Sequence, residues 1–296
     1  MATSMEPSAD SSTCEQQQTL TLNTGHDIPI IALGVYQSAP GEETYNACLA
    51  ALELGYRHID TAAMYGNEEA VGRAVRDSKI PREEIFITTK FWPEQGMQAL
   101  QTPGSGYEAA IVEGEASNSK LGLGYIDLYL IHAPAWGKER INVWRGFEEL
   151  VKRGVVKSIG VSNYGIKHLN EIISNEYTIP SVNQIELHPF MLHDGIETYC
   201  KKKGIVIEAY APLAQATRLN DSILINIAKK HDKTAAQVML RWGLQRGFVI
   251  LPKSVRKVRI KENKSIDDFE LTKNEMIEIN SLDEYKGTSW DPTIWE

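Results

Sequence analysis

The stretch IDLYLIHAPAWGKERINVWRGFEELVKRGVVKSIGVSN, residues 126–163, decides the fold. It opens on a short apolar run, IDLYLIH (126–132), and closes on another, VKSIGVSN (156–163). Between them, around 143–153, the pattern changes to helical spacing. Runs this short and this apolar read as strands buried on both faces, and strand–helix–strand is the repeating unit of a parallel sheet.

The same alternation extends in both directions. Further runs are IALGV (31–35), HID (58–60), IFITTK (85–90), SVNQIE (181–186), IVIEAYAP (205–212) and FVILPKS (248–254). Helix-like segments lie around 42–54, 67–77, 107–120, 166–174, 194–203, 234–246 and 256–263. Eight strands each followed by a helix imply an α/β chain with a parallel sheet. At 296 residues a closed (β/α)8 TIM barrel is the economical arrangement. An open doubly wound sheet is the alternative, but its GxGxxG phosphate signature is missing after the first run. Upstream, LTLNTGHDIPI (20–30) alternates on either side of Asn23-Thr24-Gly25 and predicts an N-terminal β-hairpin. Two extra helices are expected, in DSILINIAKKH (221–231) and TKNEMIEINSL (272–282). Residues 1–18 are small and polar and read as a disordered tail, leaving 19–296 as a single domain. The segment 93–106, rich in Gly, Pro and Gln, reads as a long loop after the third run.

A net charge of −8 argues against nucleic acid or an anionic membrane as a partner. No apolar run approaches the roughly 18 residues that a bilayer span requires. Three cysteines, Cys14, Cys48 and Cys200, show no CxxC spacing and no histidine cluster. That pattern fits a reducing compartment and argues against both a disulfide framework and a metal site. No lysine or arginine precedes Arg57, so no basic targeting region is seen, and a cytoplasmic location is expected.

The ends of the runs carry the chemistry. They deliver Asp60, Lys90, His132, Ser162-Asn163, Asn183-Gln184, Tyr210 and Lys253-Ser254 to what should be one rim of the barrel, where catalytic groups of this fold gather. Each alone has a plain structural reading as a core polar group or a solvated cap; seven together point to a site. Lys90 and Asp60, on neighbouring strands, should pair rather than stay uncompensated. Tyr65, in HIDTAAMYGNEEAVG (58–72), follows on the next loop, where the Lys90 ammonium should lower its pKa and make it a usable general acid. His132 can polarise a substrate carbonyl. The set holds no nucleophile, so it suits protonation of an oxygen while a hydride attacks the carbon.

In order along the chain, GYRHIDTAAMYGNEEAVG, ITTK, IDLYLIH, KSIGVSN, NQIELHP and LPKSVRKVRIKEN resemble the aldo-keto reductases, over about residues 19–285. The resemblance implies a NADPH-dependent carbonyl reductase with a catalytic tetrad of Asp60, Tyr65, Lys90 and His132, Tyr65 being the proton donor. It also implies a NADPH/NADP+ site. Ser162, Asn163 and Gln184 would bind the nicotinamide carboxamide, and Tyr210 would stack on the ring. The backbone at Leu213 would meet the pyrophosphate, Lys253, Ser254 and Arg259 the 2′-phosphate, and Glu262 and Asn263 the adenine. The basic start of the last barrel helix agrees independently, because helix N-termini with basic neighbours bind phosphate. Many members are monomers, and a monomer with a small carbonyl substrate is expected.

Tyr36 and Trp92, with His132, are the candidate substrate walls; Trp136, Trp290 and Trp295 are further aromatic candidates. Two positions depart from the common pattern. Ala211 follows Tyr210 where serine is usual, and Ala133 stands where tryptophan is frequent, which should widen the pocket. Two other functions remain open at this point. One is a regulatory protein that binds the cofactor with little turnover. The other is a barrel isomerase or lyase that uses the Lys253 region for a substrate phosphate.

Overall fold

The computed structural model describes residues 18–93 and 104–296, so nearly all of the expected tail and residues 94–103 of the expected loop lie outside it. Strands β1 (Thr19–Thr21) and β2 (Asp27–Pro29) pair antiparallel as the expected hairpin, with Leu20 opposite Ile28. The barrel strands are β3 (Leu33–Gly34), β4 (His58–Asp60), β5 (Phe86–Phe91), β6 (Ile126–Ile131), β7 (Val156–Ser162), β8 (Val182–Glu186), β9 (Val206–Tyr210) and β10 (Val249–Leu251). Each pairs in parallel with its neighbour in chain order. The sheet closes on itself: Ala32 N donates to Ile250 O at 2.9 Å and Gly34 N to Pro252 O at 3.1 Å. The result is the expected (β/α)8 barrel.

The helices are α1 (Glu42–Glu53), α2 (Glu68–Asp77), α3 (Ser105–Leu121), α4 (Glu139–Lys152), α5 (Ile166–Ile173), α6 (Asp194–Lys203), α7 (Ser222–Lys230), α8 (Ala235–Gln245), α9 (Lys257–Lys264) and α10 (Lys273–Asn280). Helices α7 and α10 are the two extras. Helix α4 starts four residues earlier than its apolar spacing suggests, because its first turn is held by polar groups. There Glu139 accepts from the backbone N–H of Gly104 and of Gly106, and from Asn142. Among the described residues no helix is long and apolar enough to cross a membrane.

Alternation along the strands divides the core in two. Ile59, Ile87, Tyr129, Ile131, Ile159, Val161, Ile185, Ile207 and Ile250 join the large apolar layer beneath the helices. The opposite parity fills the barrel interior. Phe86, Leu128, Leu130, Val182, Val249 and Leu251 cluster there with Leu22 and Ile28 of the hairpin, which plugs the N-terminal end. The same inward parity carries His58, Asp60, Thr88, Lys90, Gln184 and Glu208, all buried. The interior is therefore apolar at its floor and polar toward the C-terminal rim.

Close packing between layers depends on Gly72 in α2, where a Cβ would lie 1.8 Å from the carbonyl oxygen of Leu121. Alanine would gain about 1 kcal/mol of helix propensity, but forcing a side chain against backbone typically costs about 1–3 kcal/mol and can cost more. Gly72→Ala should therefore lower the urea-unfolding midpoint; an unchanged or raised midpoint would contradict this packing.

Candidate active site

Lys90 lies wholly inside the barrel near its C-terminal rim. Its ammonium donates to Asp60 Oδ1 at 2.7 Å and to the Thr61 carbonyl at 2.9 Å. Asp60 Oδ2 accepts from Gln184 Nε2 at 2.8 Å, so both oxygens of the carboxylate are used. The pairing read from the sequence is present, and it is the one cation–carboxylate contact inside the barrel among the described residues. A desolvated pair of this kind tolerates loss of one partner poorly.

Tyr65 reaches the pair from a single 3-10 turn, Ala63–Tyr65. Gly66 ends that turn in the left-handed region (φ 67°), where a side chain would be strained. Asn67 then fastens the loop. Its Oδ1 accepts from the Thr61 hydroxyl at 2.6 Å, and its Nδ2 donates to the Val35 carbonyl at 3.1 Å. The Tyr65 ring lies 5.2 Å from the Lys90 nitrogen, measured to its centroid.

The expected lowering of the Tyr65 pKa is not what this arrangement produces. Burial pushes the phenol well above its ordinary value, and Asp60 and Tyr36 push the same way. The Lys90 charge is engaged by Asp60 and the Thr61 carbonyl and does not outweigh them. Tyr65 therefore holds its proton at neutral pH.

His132 is kept neutral, because burial and the Lys90 charge hold its pKa well below the usual histidine range. Its buried Nδ1 has no hydrogen-bond partner. The ring is positioned by aromatic edges instead, with Tyr65 and Trp92 each 5.7 Å away between centroids.

One cavity of about 1090 Å³ joins these groups to the rest of the rim. Asp60, Tyr65 and His132 line it, together with Tyr36, Trp92, Ser162, Asn163, Gln184, Tyr210, Leu213, Lys253, Ser254, Arg259, Glu262 and Asn263. Lys90 lies behind Asp60 and does not reach the wall. Ser162 donates to the Gln184 carbonyl (2.9 Å), and Asn163 Nδ2 donates to the His132 carbonyl (3.0 Å) and to Ser162 Oγ (3.1 Å). Asn163 Oδ1 accepts the Tyr210 hydroxyl at 2.9 Å, which fixes the Tyr210 ring against the cavity. Ser162 and Asn163 are thus partly spent on the protein, each with acceptor capacity to spare.

At the far end the cavity is basic. Lys253 and Arg259 are exposed there, near the start of α9, and Ser254 Oγ accepts the backbone N–H of Arg256 at 3.1 Å. Arg256 also lines the wall and was not singled out from the sequence, although it lies in the same basic string. Lys257, its neighbour, is instead paired with Glu53 at 2.7 Å. Beside Leu213 (φ −101°), Ala211, Ala214, Gln215 and Ala216 all have positive φ. The change of hand from Leu213 to Ala214 is a backbone form found in anion-binding concavities.

The opposite end is aromatic. Trp92 packs between Trp136 (5.6 Å) and Trp290 (6.3 Å), and Trp290 lines the cavity with Met64 and Ser289. Trp295 is not on the wall; it supports Trp290 from behind at 5.2 Å. Trp136 likewise backs Trp92. Glu186 brings the chain end here: its carboxylate accepts from Thr288 N (2.5 Å), Thr288 Oγ1 (2.6 Å) and Ser289 N (3.1 Å). Ala133, expected to widen the pocket, is not among its lining residues. It is fully buried and off the wall, and its neighbour His132 occupies the cavity face.

The aldo/keto reductase family pattern matches residues 31–284. The chain belongs to the aldo/keto reductase family. It is an oxidoreductase by that membership. Glyoxal reductase of Bacillus subtilis is 42% identical over 281 residues, covering 94% of this chain and 98% of that protein. A 9,11-endoperoxide prostaglandin H2 reductase of Trypanosoma cruzi is 43% identical, covering 92% and 94%. The crystal structure of a Bombyx mori aldo-keto reductase in complex with NADP superposes with a TM-score of 0.85 at 33% identity, covering 93% of this chain and 95% of that one.

The buried pair generates a stability prediction. Lys90→Met leaves Asp60 as an uncompensated interior charge and should cost about 3–5 kcal/mol in urea unfolding. A loss below about 1 kcal/mol would contradict a tightly coupled buried pair.

Proposed function

We propose that this protein reduces aldehydes and ketones to alcohols with NADPH, Tyr65 supplying the proton. The observation that carries the reading is the proton-bearing Tyr65 beside the Asp60–Lys90 pair and the His132 imidazole, on the wall of one cavity that also carries basic and aromatic residues.

The residues present fit the cofactor. A cavity of about 1090 Å³ exceeds the roughly 300–1,000 Å³ typical of a single small ligand and leaves room for a dinucleotide with a small substrate. Lys253, Ser254, Arg256 and Arg259 would hold a 2′-phosphate, with Glu262 and Asn263 at the adenine and the 211–216 backbone at the pyrophosphate. Ser162, Asn163 and the Gln184 side-chain oxygen would orient the carboxamide, and the immobilised Tyr210 ring would support the nicotinamide face. When bound, NADPH supplies the hydride.

The chain's own residues supply the rest. His132, neutral and without a partner, orients the substrate oxygen by hydrogen bonding. The Tyr65 Oη proton moves to that oxygen as negative charge develops on it, and the Lys90 ammonium compensates the charge left on the phenol. Tyr36, Trp92 and Trp290 exclude water from the reacting carbon. Among the described residues no lysine or arginine stands on this aromatic wall, which favours uncharged carbonyl compounds. The named relatives act on compounds as different as glyoxal and a prostaglandin endoperoxide, so kinship alone does not select among them. Two buried free thiols, Cys48 and Cys200, fit a reducing, cytoplasmic setting.

Loss of NADPH absorbance with a panel of uncharged aldehydes and ketones tests the reading. Tight NADPH binding without turnover on any of them would favour a regulatory role instead. Tyr65→Phe should lower kcat by about 10²- to 10⁴-fold, the usual worth of a positioned general acid, with NADPH affinity nearly unchanged. Near-normal turnover would remove the proton-donor role. Arg259→Ala should weaken NADPH by about 10- to 100-fold, the worth of a charged hydrogen bond, while NADH binding changes little. Equal losses for the two cofactors would contradict 2′-phosphate recognition.

A further inference from the structure

Glu208, at the centre of β9, is fully buried in the barrel interior and is used by none of the steps above. Its Oε2 accepts from Gln184 Nε2 at 2.8 Å, and that same nitrogen donates to Asp60 Oδ2 at 2.8 Å. Both amide hydrogens of Gln184 are thereby committed to two carboxyl groups. With Asp60 ionised in its pair with Lys90, the amide must face it through nitrogen, which leaves the Gln184 oxygen without a protein partner.

The surroundings of Glu208 are almost without charge to offset its own. Glu208 Oε1 has no hydrogen bond. The nearest basic group to it is His58 on β4, 3.7 Å away. That distance is not an ion pair, because His58 is neutral: burial pulls its pKa down to about 3. Its Nε2 meets the Thr88 hydroxyl at 2.9 Å and its Nδ1 the Pro29 carbonyl at 3.2 Å. Lys90 on β5 is committed to Asp60 and Thr61. From β10 the inward neighbours are the apolar Val249 and Leu251. Burial, then the charge of Asp60, pushes the Glu208 carboxyl up to about 8. With Oε2 accepting from Gln184, a proton on this carboxyl would sit on Oε1.

We propose that Glu208 is a positioning residue of the active site. In its protonated form it shares the Gln184 amide with Asp60, aims the Gln184 oxygen at the cavity, and leaves Lys90 to a single buried carboxylate. When Glu208 ionises, a second negative charge enters the closed interior one amide away from Asp60. Gln184 is drawn toward it, Lys90 is shared between two anions, and the Tyr65 phenol is held further from release. The active site then loses activity at alkaline pH through a group that touches neither substrate nor cofactor.

This inference rests on the reductase reading, and the test separates the two. In the wild-type protein kcat for carbonyl reduction should fall through a step near pH 8. Glu208→Gln, which keeps the shape and cannot ionise, should abolish that step. A second readout needs no turnover. Glu208 has its folded pKa raised above its unfolded value near 4.5, so its contribution to stability is present at low pH and declines as pH rises toward 8. Wild-type stability in urea, relative to Glu208→Gln, should therefore fall between about pH 5 and pH 8 and level off above. A kcat step that is missing in the wild type, or that persists unchanged in Glu208→Gln, overturns the proposal, as does a stability difference independent of pH. If Glu208→Gln does not fold, the wild type alone decides: a protonated-carboxyl infrared band should disappear near pH 8 together with kcat, and its absence overturns the proposal. If the protein reduces no carbonyl at any pH, the reductase reading fails by itself, and the urea and infrared titrations still judge the Glu208 proton.

Discussion

The Lys90 ammonium is held entirely inside a closed barrel, and the surrounding site is arranged to make that position tolerable. Bringing a cation and a carboxylate out of water costs several kcal/mol for each ion, and mutual attraction offsets it only when the remaining hydrogen-bonding capacity is met. Asp60 meets one N–H of Lys90, the Thr61 carbonyl a second, and Gln184 takes the other oxygen of Asp60. These partners come from β4, the turn after it, β5 and β8, which lies on the far side of the barrel from β4. An open sheet could not bring β8 across to β4, so closure of the barrel and satisfaction of the pair are the same structural event.

The pair also explains the state of its neighbours. Burial, reinforced by the charge of Asp60, keeps the proton on Tyr65, while burial and the charge of Lys90 keep His132 neutral. A proton donor and a neutral hydrogen-bonding ring side by side suit an oxygen that becomes negative during the reaction better than one that is already an anion. The anionic part of a ligand finds its match elsewhere, at the exposed basic start of α9. Charge at one end and aromatic surface at the other give the cavity a direction.

The aromatic end depends on a segment remote in sequence. Glu186 sits at the end of β8 and faces inward, and burial alone would raise its pKa. Hydrogen bonds from His188 and Thr288 outweigh burial and hold it below the usual carboxylate range, so it is an ionised acceptor for the chain end. Trp290 is thereby carried to Trp92, a residue nearly two hundred positions earlier. The wall that faces a substrate is assembled from a strand end and a C-terminal segment, with Trp136 and Trp295 behind them as support.

The sequence by itself determined the barrel, the hairpin and the order of the helices, because apolar spacing is a local property that each segment carries alone. It also determined which residues reach the rim, since a polar group ending a buried run has few other places to go. Asp60, Lys90 and His132 were legible for that reason, and Tyr65 from its short distance to Asp60. What only the tertiary structure decided is how those groups act on one another. The direction of the Tyr65 shift was misread because the Lys90 charge is consumed by partners that the sequence does not place beside it. Glu208 sits in the middle of a quoted run and His58 at the start of one, where parity alone does not say whether a side chain faces helices or interior. Ala133 and Trp295 turned out to lie behind the wall, and Arg256 and Trp290 on it. Each of these outcomes rests on distances between residues far apart in the chain, and such distances exist only once the sheet has closed.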